Sequence, residues 1–407
     1  MAPDIQPFKI HVSESAIESL NDKLDASQFP EETTFSDDWK YGTPLSDIKH
    51  LAQHWREKFN WRQQEAKLNE YPQYTTSVNV DGFGEVELHF LHQQTRNGNS
   101  IPLLFCHGWP GSFLEVLRIL PLLTSTAPGA PSFHIVAPSL PNFGFSSLIQ
   151  KPGFSIPQYA EALHSLMQKL GYSHYAAQGG DWGFIIVRML AQLYPSSLLF
   201  HHLNFVRANP PSPTAHPLLY LQHALTPYTA AEKNGIERTK WFCGPGFAYN
   251  DLQAHSPHTI GIALRDSPLA LLAWLHERLV QWTDNYKWDL DEELTWVSLY
   301  WFSVAGPGAS ARIYHESRFA ELEKHDKCFE YNAGVLLGLS YFPRDLVVPP
   351  TIWGRTLGKV VFERRHADGG HFAAWERPNL VAGDLQDMAK RDPVRRIVEQ
   401  RLAIKLA

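Results

Sequence analysis

The stretch "YAAQGGDWGFII", Tyr175–Ile186, decides how the rest of the 407-residue chain is read. A short apolar run leads into Gly179-Gly180-Asp181-Trp182-Gly183, and a second apolar run follows at helical spacing. The pattern predicts a strand, a tight turn and the start of a helix. Small residues on both sides of Asp181 permit a sharp turn, and in the G-x-S-x-G form of this turn the central residue is a serine nucleophile. Here it is an aspartate. Taken alone, an Asp between glycines reads as a turn residue or a helix N-cap. The alternative is a carboxylate nucleophile, and the flanking sequence must decide.

Outward from that turn the chain alternates strands and helices. "IPLLFCH" (101–107) and "FHIVAPSL" (133–140) are short apolar runs ending in turn residues, as buried parallel strands do. "SIPQYAEALHSLMQKLG" (155–171) is an amphipathic helix closed by Gly171, and "FIIVRMLAQLYP" (184–195) is the helix after the turn. Two more strands, "GVLLGLSYF" (334–342) and "KVVFERR" (359–365), come late. This alternation predicts an α/β fold with a mostly parallel central sheet and helices on both faces. Between the two groups, "ANPPSPTAHP" (208–217) reads as a linker, and the Trp-rich runs "PLALLAWLHERLVQW" (268–282) and "ELTWVSLYWFSV" (293–304) read as helices of an inserted lid.

The order of sheet and lid is that of an α/β-hydrolase with an N-terminal extension. We expect residues 1–95 to wrap the core, 96–207 and 321–407 to form the core, and 208–320 to form the lid. In the extension, "SESAIESLNDKLDA" (13–26) is a helix with Ser13 as N-cap, "LSDIKHLAQHWREKFNWRQQEAKLNEY" (45–71) is a longer amphipathic stretch, and "YTTSVNVDGFGEVELHFLHQQ" (74–94) is a hairpin around Asp81-Gly82.

Three groups fall where this fold carries its chemistry. Asp181 sits at the elbow, "YFPRD" puts Asp345 just beyond a strand end, and "HADGGHF" puts His371 in a glycine loop after the last strand. Nucleophile, acid and base then follow in the order of α/β-hydrolases. Asp345 alone reads as half of a surface pair with Arg344, and His371 alone as a loop histidine. Their order and their strand-end positions together favour a triad. The loop "FCHGWPGSF" (105–113) supplies one backbone N–H of an oxyanion hole, that of Trp109, and the residue after the nucleophile, Trp182, supplies the other.

Aspartate changes the chemistry. A carboxylate attacks an sp³ carbon and forms an ester whose acyl half belongs to the enzyme. His371, held by Asp345, can then activate water against the Asp181 carbonyl carbon. Epoxides and alkyl halides both suit this scheme. An epoxide oxygen needs a proton donor, for which two tyrosines serve; a halide needs only hydrogen bonds. Trp182 fits both.

With these residues in view, the chain resembles the microsomal-type epoxide hydrolases, in particular their soluble fungal members. The resemblance runs over nearly all of the chain, through "PFKIHVSESAIESL", "HGWPGSFLEV", "QGGDWGFII", "RDSPLALLAWLHERLVQW", "YFPRDL" and "GGHFAAWERP". It implies Asp181 as nucleophile, Asp345 as the acid behind His371, and His371 as base. It further implies Tyr249 of "GFAYNDLQAHSPHTIG" and Tyr314 of "SARIYHESR" as lid tyrosines that polarise and protonate the epoxide oxygen. Tyr300 and Tyr220 also lie in lid-like sequence. The implied reaction adds water to an epoxide to give a vicinal diol, with no cofactor and no metal. Haloalkane dehalogenase chemistry on the same nucleophile, or a catalytically inactive scaffold that binds ligands, are the rival expectations. The resemblance also makes a homodimer an expectation.

Bulk properties narrow the partners. Net charge is −6, charged residues make up 19% and no basic run occurs, which argues against nucleic acid. The 13% aromatic content, with 13 Trp and 15 Tyr, points to an aromatic-lined pocket for a small apolar or aryl epoxide. Cys106, Cys243 and Cys328 lack metal or disulfide spacing and are expected as buried free thiols in a reducing compartment. The His201-His202 pair has no partner set for a metal. "MAPDIQPFKIHVSESAIESL" does not read as a signal peptide, "IKLA" is not the S-K-L address, and no run reaches membrane-spanning length. A soluble, cytoplasmic protein is expected, with no membrane partner.

Overall fold

The computed structural model describes residues 4–95, 98–125, 129–319 and 326–406. The expected junctions at 95–96 and 320–321 touch residues outside those described. The sheet has nine strands: β1 (Gln6–Phe8), β2 (Gln73–Val80), β3 (Gly84–Gln93), β4 (Ile101–Cys106), β5 (Phe133–Pro138), β6 (Tyr175–Gly179), β7 (Leu198–Leu203), β8 (Asn332–Tyr341) and β9 (Gly358–Arg365). Their spatial order is β1-β2-β3-β5-β4-β6-β7-β8-β9. Strands β5 to β9 and β4 run parallel, while β1, β2 and β3 are antiparallel additions at one edge. Every residue of β4, β6 and β7 is buried, as continuous apolar runs covered on both faces must be. The sheet is therefore the mostly parallel, helix-flanked one expected.

The helices before the lid are α1 (Glu14–Ala26), α2 (Leu45–Glu57), α3 (Trp61–Leu68), α4 (Leu120–Leu123), α5 (Ile156–Lys169) and α6 (Trp182–Leu193). The Ser13 side chain caps α1 by accepting from Ala16 N. Two expectations for the N-terminal region need correction. The stretch 45–71 is broken into α2 and α3, because Asn60 stops the helix and caps the next one by accepting from Gln63 N. The region also does more than wrap. Its hairpin completes the central sheet, with β3 pairing along β5 from Phe90↔Pro138 to Gln93↔Ile135. The alternation in 74–94 shows a strand with one buried face, but not which sheet it joins.

Residues 217–319 form α7 (Pro217–Leu225), α8 (Ala230–Cys243), α9 (Ala248–His255), α10 (Pro257–Asp266), α11 (Pro268–Gln281), α12 (Leu290–Trp301) and α13 (Arg312–Phe319). Helices α1 and α2 pack against α11, and α2 and α3 against α12. The His276 ring on α11 lies 2.5 Å from Glu293 of α12 and 3.6 Å from Asp47 of α2, so charge ties the extension to the lid. Cys106 and Cys328 are buried, but Cys243 at the end of α8 is exposed, contrary to expectation. A single apolar position on a helix does not reveal which face it occupies. Among the described residues no helix is long and apolar enough to cross a membrane.

The elbow places an unusual demand on Gly183. A Cβ there would come within 2.0 Å of the Cys106 carbonyl oxygen, a backbone atom of β4 that cannot move aside. Gly183→Ala should destabilise the fold by on the order of 3 kcal/mol. Gly383 on the helix Pro378–Lys390 meets nothing within 4 Å, so Gly383→Ala should instead stabilise by about 1 kcal/mol. Thermal melts of the two variants should shift in opposite directions.

Candidate active site

Asp181 lies between the end of β6 and the first residue of α6, with φ 52° and ψ −126°. This region is rarely adopted by L residues, and such strain costs on the order of 1–3 kcal/mol. The helix-cap alternative does not describe its side chain, which makes no cap hydrogen bond. Instead Asp181 Oδ1 accepts from the Trp109 backbone N–H at 2.7 Å. This contact requires glycine at 108, where a Cβ would sit 2.2 Å from the same oxygen. The Trp182 N–H belongs to the first turn of α6, where backbone donors have no intrahelical acceptor.

His371 brings two carboxylates together. Its Nδ1 lies 2.7 Å from Asp345 Oδ1 and its Nε2 lies 3.4 Å from Asp181 Oδ2. Both side chains of the His371–Asp345 pair are buried. Burial alone would lower the imidazole, but Asp345 and Asp181 outweigh it and raise His371 to about 10. Asp345 itself is raised by burial, against the pull of His371. The loops carrying the two residues are stitched to each other by a parallel bridge between Arg344 and Gly370. They are also stitched to the lid: His371 N donates to Trp282 O at 2.8 Å, and Arg238 Nε donates to Asp345 O at 3.1 Å.

The lid tyrosines meet above this group. The Tyr249 and Tyr314 rings are 5.8 Å apart, and the Trp109 ring is stacked on Tyr249 at 5.2 Å and edge-on to Tyr314 at 5.8 Å. Trp182 meets Tyr314 at 4.8 Å, and Trp282 meets His371 at 5.2 Å. Among the described residues the buried Tyr314 hydroxyl has no partner at full hydrogen-bond geometry, and Tyr249 and Trp182 are the groups that act on it. Burial first, and the Asp181 charge among the lesser causes, push both hydroxyls upward, so both are protonated donors at neutral pH. The other two lid-like tyrosines are not brought here. Tyr300 donates to Gly111 O at 2.7 Å, and Tyr220 is exposed on α7.

Sequence reasoning missed several residues that build the site. His107 is neutral, lowered by burial to about 4; it accepts from Leu140 N at 3.1 Å and donates to Gly108 O at 2.9 Å, which fixes the loop before Trp109. Trp296 donates to Pro110 O at 2.5 Å, so α12 and Tyr300 hold that loop from the lid side. Glu115 is half-buried behind the loop, and desolvation raises it to about 8. Glu376, raised by burial to about 7, accepts from Asp284 N and Phe372 N and joins the lid to the His371 loop. "HGWPGSFLE" carried a signal for Glu115, an acid at an otherwise apolar position, but nothing in the sequence says where its carboxyl points. The His201-His202 pair is buried in β7, where His202 bonds Ser340; among the described residues no cluster of His, Cys, Asp and Glu is placed to hold a metal ion.

A strained Asp at the elbow after β6, an acid after β8 and a His after β9 define an α/β-hydrolase with a carboxylate at the nucleophile position. Residues 101–217 match the family described as alpha/beta hydrolase fold, and residues 5–116 match that described as epoxide hydrolase N terminus. Juvenile hormone epoxide hydrolase 1 of Ctenocephalides felis is 32% identical over 95% of this chain and 86% of its own. Among solved structures, an Aspergillus niger epoxide hydrolase superposes with a TM-score of 0.81 at 34% identity, covering 95% of this chain and 96% of its own. Juvenile hormone epoxide hydrolase from the silkworm Bombyx mori gives 0.86 at 28% identity, covering 97% and 95%. The chain belongs to the epoxide hydrolase family.

Proposed function

We propose that this protein adds water to an apolar epoxide, giving a vicinal diol through an ester on Asp181. The reading rests on one observation above all: a strained carboxylate, bonded to the Trp109 N–H and reached by the Asp345-backed His371, lies within electrostatic reach of two buried tyrosines. Asp181 attacks a ring carbon, the carbon–oxygen bond opens, and the oxygen takes a proton from the tyrosine pair. The product is a hydroxyalkyl ester. His371 then removes a proton from water, which attacks the Asp181 carbonyl carbon, and the oxyanion forms next to the Trp109 and Trp182 N–H groups; its collapse breaks the bond from that carbon to the diol oxygen, which leaves with the proton from His371. An alkyl halide needs no proton donor, so the tyrosine pair favours epoxide over halide chemistry.

A cavity of about 1190 Å³ reaches Tyr249 and Trp282 and is lined largely by charged side chains such as Arg238 and Arg278, so the support for an apolar or aryl substrate comes from the rings of Trp109, Trp182, Trp282, Tyr249 and Tyr314 around the site. The exposed Leu218, Leu221 and Leu225 of α7 support self-association as a homodimer.

A single-turnover reaction in H₂¹⁸O, with enzyme in excess over styrene oxide, tests the ester. The first diol should be unlabelled and the peptide containing Asp181 should gain ¹⁸O. Label appearing in the first diol, with none in the peptide, would mean direct attack by water.

A further inference from the structure

Ring opening moves a charge. Before it, the negative charge is on Asp181 and the tyrosines are neutral. Afterwards the ester is neutral, and the tyrosine that gave its proton is a phenolate. The Trp109 N–H that served the carboxylate now faces an uncharged ester. A group that stabilises the new charge more than the old one lowers the barrier, because only interactions stronger in the transition state accelerate the step.

Such a group lies against Tyr249. Arg278 on α11 is buried, with its guanidinium 5.3 Å from the centre of the Tyr249 ring and 4.2 Å from that of Trp274. Its Nη1 donates to Glu277 Oε2 at 2.5 Å and to Trp274 O at 3.3 Å. Trp274 is in turn tied through Nε1 to Gln253, one turn along α9 from Tyr249. The guanidinium is thus fixed to the helix that carries Tyr249. The two members of its ion pair differ in exposure: the Arg278 side chain is 8% exposed and that of Glu277 is 29%. The acid's charge is better screened by water than the cation's, which leaves a net positive field on the buried side. Burial lowers Arg278, and Glu277, then Tyr249, and least of all Tyr314 support its charge. Among the described residues no guanidinium lies over the Tyr314 ring, whose neighbours are Trp109, Trp182 and Tyr249.

We propose that Arg278 is a positioning residue for ring opening: it stabilises the charge that Tyr249 acquires, making Tyr249 the proton donor and Tyr314 its hydrogen-bonding partner. This rests on the ester mechanism proposed above. The balance is complete within the site. The proton goes from Tyr249 Oη to the substrate oxygen, the electron pair of the broken carbon–oxygen bond stays on that oxygen, and the second proton of the water that opens the ester, left on the Asp181 carboxyl, passes to the phenolate and restores both groups.

The test separates the two half-reactions. Wild type, Arg278→Gln and Arg278→Lys are mixed with styrene oxide and quenched in acid at intervals, and the adduct on the Asp181 peptide is followed by mass spectrometry. Ester formation should slow by roughly 30- to 100-fold in Arg278→Gln and by no more than about fivefold in Arg278→Lys, while ester decay stays within about twofold of wild type. The Arg278→Gln effect should vanish in a Tyr249→Phe background and persist in Tyr314→Phe. Equal slowing of both half-reactions, no slowing, or persistence of the effect in Tyr249→Phe would overturn the assignment. A wild type that turns over without any adduct would instead overturn the ester mechanism, and this inference with it.

Discussion

His371→Gln protein mixed with styrene oxide should lose turnover by about 10⁴-fold and accumulate one substrate mass on the peptide that contains Asp181. The expectation follows from the geometry. On the proposed route the attack needs no separate base, since a carboxylate is itself the nucleophile, and the Trp109 N–H holds Asp181 in place. Only the second half-reaction needs a proton acceptor, and His371 is the group between Asp345 and Asp181. The proposed route implies a switch. In the free enzyme Asp345 and Asp181 outweigh burial and raise His371 to about 10, which favours the imidazolium over the base form at neutral pH. Esterification removes the Asp181 charge, and His371 falls toward the range in which it can take a proton from water. Ester cleavage should therefore slow as pH drops through this lower value. Absence of adduct in His371→Gln, with wild type active, would rule out the covalent route.

The sequence carried the site better than it carried the site's supports. Asp181, Asp345 and His371 each sit at the end of a strand, and strand ends are marked by local composition, so the three could be placed without knowing strand order. Tyr249 and Tyr314 came from resemblance alone, because nothing in a helical tyrosine's neighbours tells a packing ring from a functional one. Trp296 and Tyr300 read as lid residues but hold the loop 107–111 from behind, a contact that spans 186 and 189 positions in the chain. The same limit hid the hairpin 73–93. Its alternation shows a buried face, but only the tertiary pairing with β5 makes it part of the central sheet. His107, Glu115, Glu376 and Arg278 are polar groups whose importance lies in burial, and burial depends on elements distant in sequence.

Tyr249→Phe with Tyr314→Phe should stop ring opening almost completely, with a loss beyond about 10⁴-fold, the upper range for removing general acid catalysis. Either single change should cost much less, roughly 10- to 100-fold, since the remaining hydroxyl keeps one hydrogen bond on the oxygen. The coupling has a structural basis. The rings touch each other and share Trp109 as neighbour, and the two hydroxyls are close enough to act on each other. Both rings are held by stacking and edge contacts with Trp109, Trp182 and Trp282, so both phenylalanines should leave the fold intact. The Arg278 contact makes the two single variants unequal, with Tyr249→Phe the slower. The loss should also fall on ester formation, because on the proposed route ester cleavage calls on His371, Asp345 and the backbone donors and leaves the tyrosines aside. Following both half-reactions in the single and double variants checks each part: an additive double variant would mean the two hydroxyls act at separate places, and an unchanged one would mean the epoxide oxygen is protonated from elsewhere.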